Sequence, residues 1–470
     1  MSAPEPTTRF GRLERRGVLL GLSGVQLGTI GTALAVAVAA VYSAGAGGLV
    51  LAAPAWGVLL AIGTLSVGGR PVVGWLPLLA RWQARRAAGV TSVTAAVGAT
   101  GRAGRVWSLV VPGLAKPLEV LDAPSLGGVL VADRRAGTFT GVLRVAGEGF
   151  VLDEPGTQEA KVHGWGRVLA AVCQQPSVVR VQLLARSVPG GLAPARRWWR
   201  NHALDTANPV TAALAGMLDE GFVAPVRRQT LLVVAVRAPH GGSRNPADVE
   251  RAASQLATIT ASLAGAELTA QGWLDRGGLA RVLCEALDPA AAARAEGGPV
   301  SLTTTVGAGE RWSSLTTGTS WHATYWVSEW PRAAVHPGFL QPLLLADVGT
   351  LSVLAEPLST VKALREIRRA KVEHTADAAQ RTRLGQIEDE ATRAEVADLE
   401  RREAELVAGH QDLRFTGLVT VSAPDEVMLA ERCTAMETAA AQAMCEVRRL
   451  VGQQGTAFLA AALPLARGVL

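Results

Sequence analysis

From Gly17 to Gly69 the chain carries no Asp, Glu, Lys, Arg or His. Roughly 20 apolar residues suffice to cross a bilayer, so this interval has the length for two crossings. The stretches Val25 to Val41 and Gly48 to Val67 are rich in Ala, Val, Leu and Gly. The run Ser43-Ala44-Gly45-Ala46-Gly47-Gly48 between them breaks helices and forms turns. The pattern predicts a two-helix transmembrane hairpin over 23–68. A secretory signal peptide has a shorter and undivided apolar region, and a buried hairpin in a soluble core rarely reaches this length.

Charge at the flanks sets the expected orientation, because Lys and Arg near span ends stay on the cytoplasmic side. A basic segment, 1–22, brings Arg9, Arg12, Arg15 and Arg16 to the first flank, and a juxtamembrane linker, 69–106, brings Arg70, Arg81, Arg85 and Arg86 to the second. Both termini are therefore expected in the cytoplasm, with the protein held in the cytoplasmic membrane. Trp75 and Trp82 lie among these arginines, a composition suited to the headgroup level of an anionic leaflet.

Beyond the linker the pattern shortens. Gly128 to Val131 and Phe139 to Val145 alternate as strands around an Asp-Arg-Arg-Ala-Gly turn. Helices are expected over Gln158 to Cys173, Pro209 to Glu220, Asn245 to Ala264 and Gly272 to Leu287, and strands over Val178 to Leu184 and Gln229 to Ala238. This is an α/β or α+β cytoplasmic domain, 107–356, with a loop over Pro289 to Pro299. A charged section, 357–410, alternates acid and base with no proline after Pro357, as a solvent-exposed helix does. As one rod it would reach roughly 75 Å; Gly385 favours a long charged helical hairpin instead. A strand over Leu418 to Ser422, a long helix over Glu426 to Gly452 and a tail from Gln454 to Leu470 make a C-terminal αβ unit, 411–470.

Composition adds little. With 49% hydrophobic and 18% charged residues, one anchor on a globular body accounts for the chain. A net charge of +6, much of it beside the apolar stretch, points to lipid more than to a nucleic-acid groove. Cys173, Cys284, Cys433 and Cys445 form no C-x-x-C pair, so no metal or redox motif is expected.

The search for chemistry is mostly negative. No lysine follows a glycine as the phosphate loop G-x-x-x-x-G-K-[ST] requires, and there is no G-x-S-x-G or H-E-x-x-H. Ser359 and Lys362 make an S-x-x-K spacing without companion boxes. Gly307-Ala308-Gly309 reads as a turn, and His322, in an aromatic strand, as a hydrogen-bonded core or surface imidazole. Arg196-Arg197-Trp198-Trp199-Arg200 combines cations with aromatics. It fits stacked bases, a snorkelling, amphipathic surface segment or a membrane- or partner-facing patch, so direct nucleic-acid binding stays open.

The opening Arg9-Phe10-Gly11-Arg12-Leu13-Glu14-Arg15-Arg16-Gly17 with its apolar hairpin resembles actinobacterial membrane proteins with a PrgI-like anchor from type IV-like secretion clusters. Ser328-Glu329-Trp330-Pro331, Glu405 to His410, Gly417 to Ala423, and Gly452 to Phe458 with Leu463-Pro464-Leu465 are similar to the non-motor domain of VirB-class conjugation ATPases. In those proteins a motor follows, whereas this sequence stops at Leu470. The resemblance implies a membrane-anchored, non-enzymatic scaffold without cofactor. Its implied partners are a separately encoded P-loop ATPase, anionic lipids, other secretion-channel subunits and a possible homo-oligomer. The expected docking residues are Lys362, Arg365, Arg369, Glu388, Glu395 and Glu405. An EccE-like component of type VII secretion and a membrane-bound envelope enzyme are the alternatives.

Overall fold

The computed structural model describes residues 23–67, 70–96, 106–109, 118–147, 149–189, 193–202, 208–220, 226–239, 245–294, 305–331, 335–346, 349–383, 390–407 and 412–468. The chain divides into two compact units. The smaller comprises Arg12–Thr91 with Val372–Thr392, and the rest forms the larger.

In the smaller unit, helix α1 (Gly24–Leu51) starts at a capping box in which Ser23 and Gln26 satisfy each other's backbone N–H. Its regular backbone breaks at Ala44 and at Gly45, whose φ of 62° suits glycine. Helix α2 (Ala53–Thr64) follows, then two-residue strands β1 (Ser66–Val67) and β2 (Arg70–Pro71), and α3 (Trp75–Ala87). The expected pair of spans is corrected here. Among the described residues one helix, α1, is long and apolar enough to cross a membrane; α2 has 12 residues, short of the roughly 20 needed. Helix α2 packs back on α1, with Gln26 Nε2 donating to Gly63 O at 3.1 Å. At Gly63 a Cβ would come within 2.8 Å of Ile30 and Thr29, so only glycine permits this approach.

The larger unit is a mixed α+β body, and every strand pair in it is antiparallel. This removes the α/β alternative. Its first half holds β3 (Ser92–Ala96), β4 (Val106–Leu109), β5 (Leu118–Ala123), β6 (Gly128–Asp133), β7 (Thr138–Gly147), α4 (Pro155–Cys173) and β8 (Val178–Pro189). Then come α5 (Ala193–His202), α6 (Pro209–Glu220), β9 (Val226–Arg237), α7 (Pro246–Leu263), β10 (Leu268–Trp273), α8 (Arg276–Leu287) and α9 (Pro289–Arg294). The second half holds β11 (Thr305–Glu310), β12 (Leu315–Thr317), β13 (Ser320–Glu329), α10 (Gln341–Leu345), β14 (Thr350–Leu358) and α11 (Thr360–Arg383), which runs on into the smaller unit. It continues with α12 (Glu390–Val407), β15 (Asp412–Ala423), α13 (Glu426–Gln442), β16 (Glu446–Arg449) and α14 (Gln454–Ala461). The strand order is β3-β11-β12-β13-β15-β14-β8-β9-β7-β6-β5-β4, with β10 also on β7 and β16 also on β13.

That order contains the same unit twice. In the first, β7, β8, β9 and β10 are ordered β10-β7-β9-β8; in the second, β13, β14, β15 and β16 are ordered β16-β13-β15-β14. Each is a split β-α-β arrangement with helices after its first and third strands and a helical arm after its second. In each, the first strand shares its other flank between a hairpin strand and the fourth strand, with a one-residue irregularity in the fourth-strand ladder. The sequences agree where the third strands end, Val236-Arg237-Ala238-Pro239 and Val421-Ser422-Ala423-Pro424. Matching these ends puts Leu232 on Gly417. Their ladder partners, Leu183 and Val353, are then equivalent, and these two face each other in the β8–β14 pair. Equivalent residues pairing with each other mark a pseudo-two-fold axis at the centre of the sheet.

Strand alternation sends the two faces of the sheet into separate cores. In β9, Leu231, Val233 and Ala235 join α8 and the Phe458–Ala466 segment, while Leu232, Val234 and Val236 join α4 and α7. In the second unit, β13 and β15 pack on α10 and α13. Gln182 ties the halves together. Its Nε2 lies 3.0 Å from Ser352 Oγ, 3.1 Å from Ala460 O and 3.2 Å from Leu463 O, and its Oε1 accepts from Ala466 N at 2.8 Å.

Four local expectations change. Gly272 and Trp273 belong to β10, and α8 begins after Asp275, which caps Gly278 N at 2.7 Å. Helix α13 stops at Gln442, because Met444 takes a left-handed φ of 55° and the chain turns into β16. Gly307 to Gly309 lie in β11, paired on both sides. Pro289–Arg294 form α9, and the rest of that expected loop lies outside the described residues.

Replacing Gln182 by Ala strands several buried polar groups at once, and each costs about 1–3 kcal/mol. Gln182→Ala is expected to lower unfolding free energy by about 3 kcal/mol in denaturant titration and to expose 454–468 to proteolysis. A variant that keeps both properties would show that the C-terminal segment is held without Gln182, by apolar packing and by Arg180 on Ala466 O.

Candidate functional site

The expected membrane flank falls into three parts. Arg12, Arg15 and Arg16 lie outside the described residues. Arg70 is placed by its backbone in β2, opposite Val67. The remaining positions sit together on α3, which contains no acidic residue. Arg81 and Arg86 are exposed, Trp75, Trp82 and Arg85 half-buried, and the Arg86 guanidinium lies 5.3 Å from the Trp82 ring centroid. Arg85 and Arg86 occupy the last turn of α3, where cations are favoured by the helix dipole. Leu76 and Leu79, not singled out from the sequence, are exposed on the same helix.

The expected docking arm is α11 and α12. Lys362, Arg365 and Arg369 recur at spacings of three and four on α11, hence on one face, and all three are exposed. Glu388 lies outside the described residues. Glu395 and Glu405 belong to α12, but their side chains are among those not described. The arm is held from within by Ala363, Ile367 and Ala370 on α11 and Leu399 and Leu406 on α12, packed with Leu358. Ion pairs fix its base: Lys371 to Glu403, Arg402 Nη2 to Asp412 Oδ2 at 2.6 Å, and Arg414 Nη2 to Glu366 Oε1 at 3.1 Å. The hydrogen bond from Lys371 holds the Glu403 carboxyl below the usual carboxylate range. Sequence reading missed these partners because each pair joins two different elements, α11 to α12 or an arm helix to β15, whose packing helical spacing does not reveal.

Arg186, Asp288 and His322 each take their polar partners from within the fold. Arg186 is almost wholly buried. Its guanidinium meets Gln229 Oε1 at 3.2 Å, Val282 O at 3.1 Å and Glu285 Oε2 at 3.5 Å. Burial lowers its pKa to about 10, with Glu285 opposing the fall. Asp288 receives Thr319 N and Oγ1, Ser320 Oγ and Ala291 N at 2.8–3.0 Å. Burial acts to raise its pKa, but these donors outweigh it and the net shift is downward.

His322 is fully buried against Phe458, with ring centroids 4.6 Å apart. Its Nε2 lies 2.7 Å from Thr317 Oγ1, whose proton goes to Leu287 O, so Nε2 carries the hydrogen. Nδ1 then accepts from Ser422 Oγ at 2.8 Å, which fixes a neutral tautomer. Of the two settings expected for this imidazole, core or surface, the contacts describe the core. Cys173, Cys433 and Cys445 are buried and none of the four cysteines is bridged; burial raises Cys173 and Cys445 to about 11.

Arg196 to Arg200 lie on α5, where the Arg196 Nε donates to Leu218 O at 2.7 Å and Trp198 stacks on His202 at 4.8 Å. No known protein family matches the sequence, and no curated protein matches it.

Burial lowers the His322 pKa from 6.5 to about 4, opposed by Leu287 O and Asp288. Below pH 6.5 the unfolded chain takes up a proton that the folded chain refuses until about pH 4, so stability falls across that window. The loss attributable to this residue is about 3 kcal/mol. Urea unfolding of the wild type and His322→Gln from pH 7 to pH 4 should show the variant losing less by that amount. Equal pH slopes would mean His322 is not the titrating group.

Proposed function

We propose that this chain is a membrane-anchored, non-catalytic component of a conjugation or type IV-like secretion apparatus, which recruits a separately encoded ATPase to the cytoplasmic face. The observation that carries the reading is the arm of α11 and α12. Its apolar seam and basal ion pairs use up one set of residues, and Lys362, Arg365 and Arg369 are left as an outward cationic row. Charged rows of this kind raise encounter rate and specificity towards an acidic partner and make binding salt-sensitive.

Anchoring rests on α1, whose apolar length fits a bilayer. The basic flank that follows the apolar stretch, Arg81, Arg85 and Arg86 on α3, favours the cytoplasmic side for the body of the chain. The arginines and tryptophans of α3 are suited to anionic headgroups there. The sequence offers no phosphate loop for ATP hydrolysis in this chain, and the internal satisfaction of Arg186, Asp288 and His322 favours structural roles for them.

A reporter fusion after residue 91 should report the cytoplasm. The triple variant Lys362→Glu, Arg365→Glu, Arg369→Glu should stay in the membrane fraction and lose about tenfold or more in co-purification with the P-loop ATPase encoded by neighbouring genes, in keeping with buried-rim charge effects. Unchanged capture by the triple variant would remove the arm as docking site, and an external reporter signal would overturn the topology.

A further inference from the structure

The first split β-α-β unit also carries an arm after its second strand, α5 with α6, at the place that α11 and α12 occupy in the second unit. The two arms differ in chemistry. On α6, Val210, Leu214 and Met217 are 64%, 44% and 46% exposed; their spacings of four and three put them on one face. On α5, which has no acidic residue, Trp198 is 60% exposed and Arg200 is exposed beside it. The Arg196 bond to Leu218 O ties the two helices, so apolar stripe, tryptophan and cations belong to one small element.

We propose that the α5–α6 arm lies in the interface of an anionic lipid bilayer. An apolar stripe beside Trp and Arg, with no acid on the basic helix, is a composition that settles at the headgroup and acyl boundary. Cations on α5 match the sign of an anionic leaflet. Stacked nucleic-acid bases would use Trp198 and the arginines but give Val210, Leu214 and Met217 no partner. The inference rests on the membrane reading of α1, which supplies the surface.

Hydrogen exchange on the full chain tests it, in detergent and in phosphatidylcholine nanodiscs with or without phosphatidylglycerol. Amides of 193–220 should slow by about tenfold or more in the anionic discs only, and less so at high salt. Leu214→Glu with Met217→Glu should abolish that protection while 24–51 stays protected. Protection of 24–51 with none at 193–220, or protection that survives the double variant, overturns the inference and leaves the anchor intact. Absence of protection at 24–51 in any disc overturns the anchor itself. Protection at 193–220 produced by a single-stranded oligonucleotide, or growing with protein concentration in detergent, would assign the arm to nucleic acid or to a second copy.

Discussion

The pairing of β8 with β14 is the constraint on which the larger unit depends. Each half brings its second strand to the centre, and the two strands meet so that Leu183 faces Val353. Backbone hydrogen bonds alone would tolerate a register slip there. The side chains do not, because Gln182 reaches Ser352 and the carbonyls of Ala460 and Leu463 only in one register, and a buried amide displaced from its partners costs more than a strand slip gains. Arg180 adds a second lock, pairing with Glu356 across the junction and with Ala466 O. The covering helices α8 and α14 then have a single surface on which to pack.

Local chemistry made part of this legible in the sequence. The turn from Asp133 to Gly137 is announced by its residues, and the Asn245-Pro246 start of α7 by its cap, which the structure shows accepting from Ala247 N at 3.1 Å. Helix α6 has the bounds that its pattern suggests. Strands β10 and β16 escaped notice because each is short and gains its conformation from a partner, β7 or β13, that periodicity does not reveal. The duplication is equally hidden: between the matched third strands little beyond Val-x-Ala-Pro is shared, and packing tolerates wide substitution once the alternation is kept.

The candidate surfaces divide the same way. Helical spacing was enough to put Lys362, Arg365 and Arg369 on one exposed face. It could not separate them from Glu366, Lys371, Arg402 and Glu403, whose charges are consumed by partners on the other arm helix or on β15. In α1, length, composition and the break at Ala44 and Gly45, inside the glycine-rich run from Ser43 to Gly48, are legible, while the 12-residue extent of α2 depends on how neighbouring backbone packs.

Strands β3 and β4 are successive in the chain yet stand at opposite ends of the strand order. Laid flat, a dozen strands spaced at about 4.8 Å would separate them by roughly 50 Å, whereas residues 97–105 can bridge no more than about 35 Å even when drawn straight. The sheet must therefore bend towards closure. Leu118 on β5 and Leu315 on β12 accordingly share a core with α8 and with Phe458 of α14, so these helices fill the hollow side. Curvature of this kind draws the two ends of the described strand order towards each other, so that a foreign strand meets a narrowed gap and not two widely separated edges, a hindrance to edge-to-edge pairing that comes from the route of the chain.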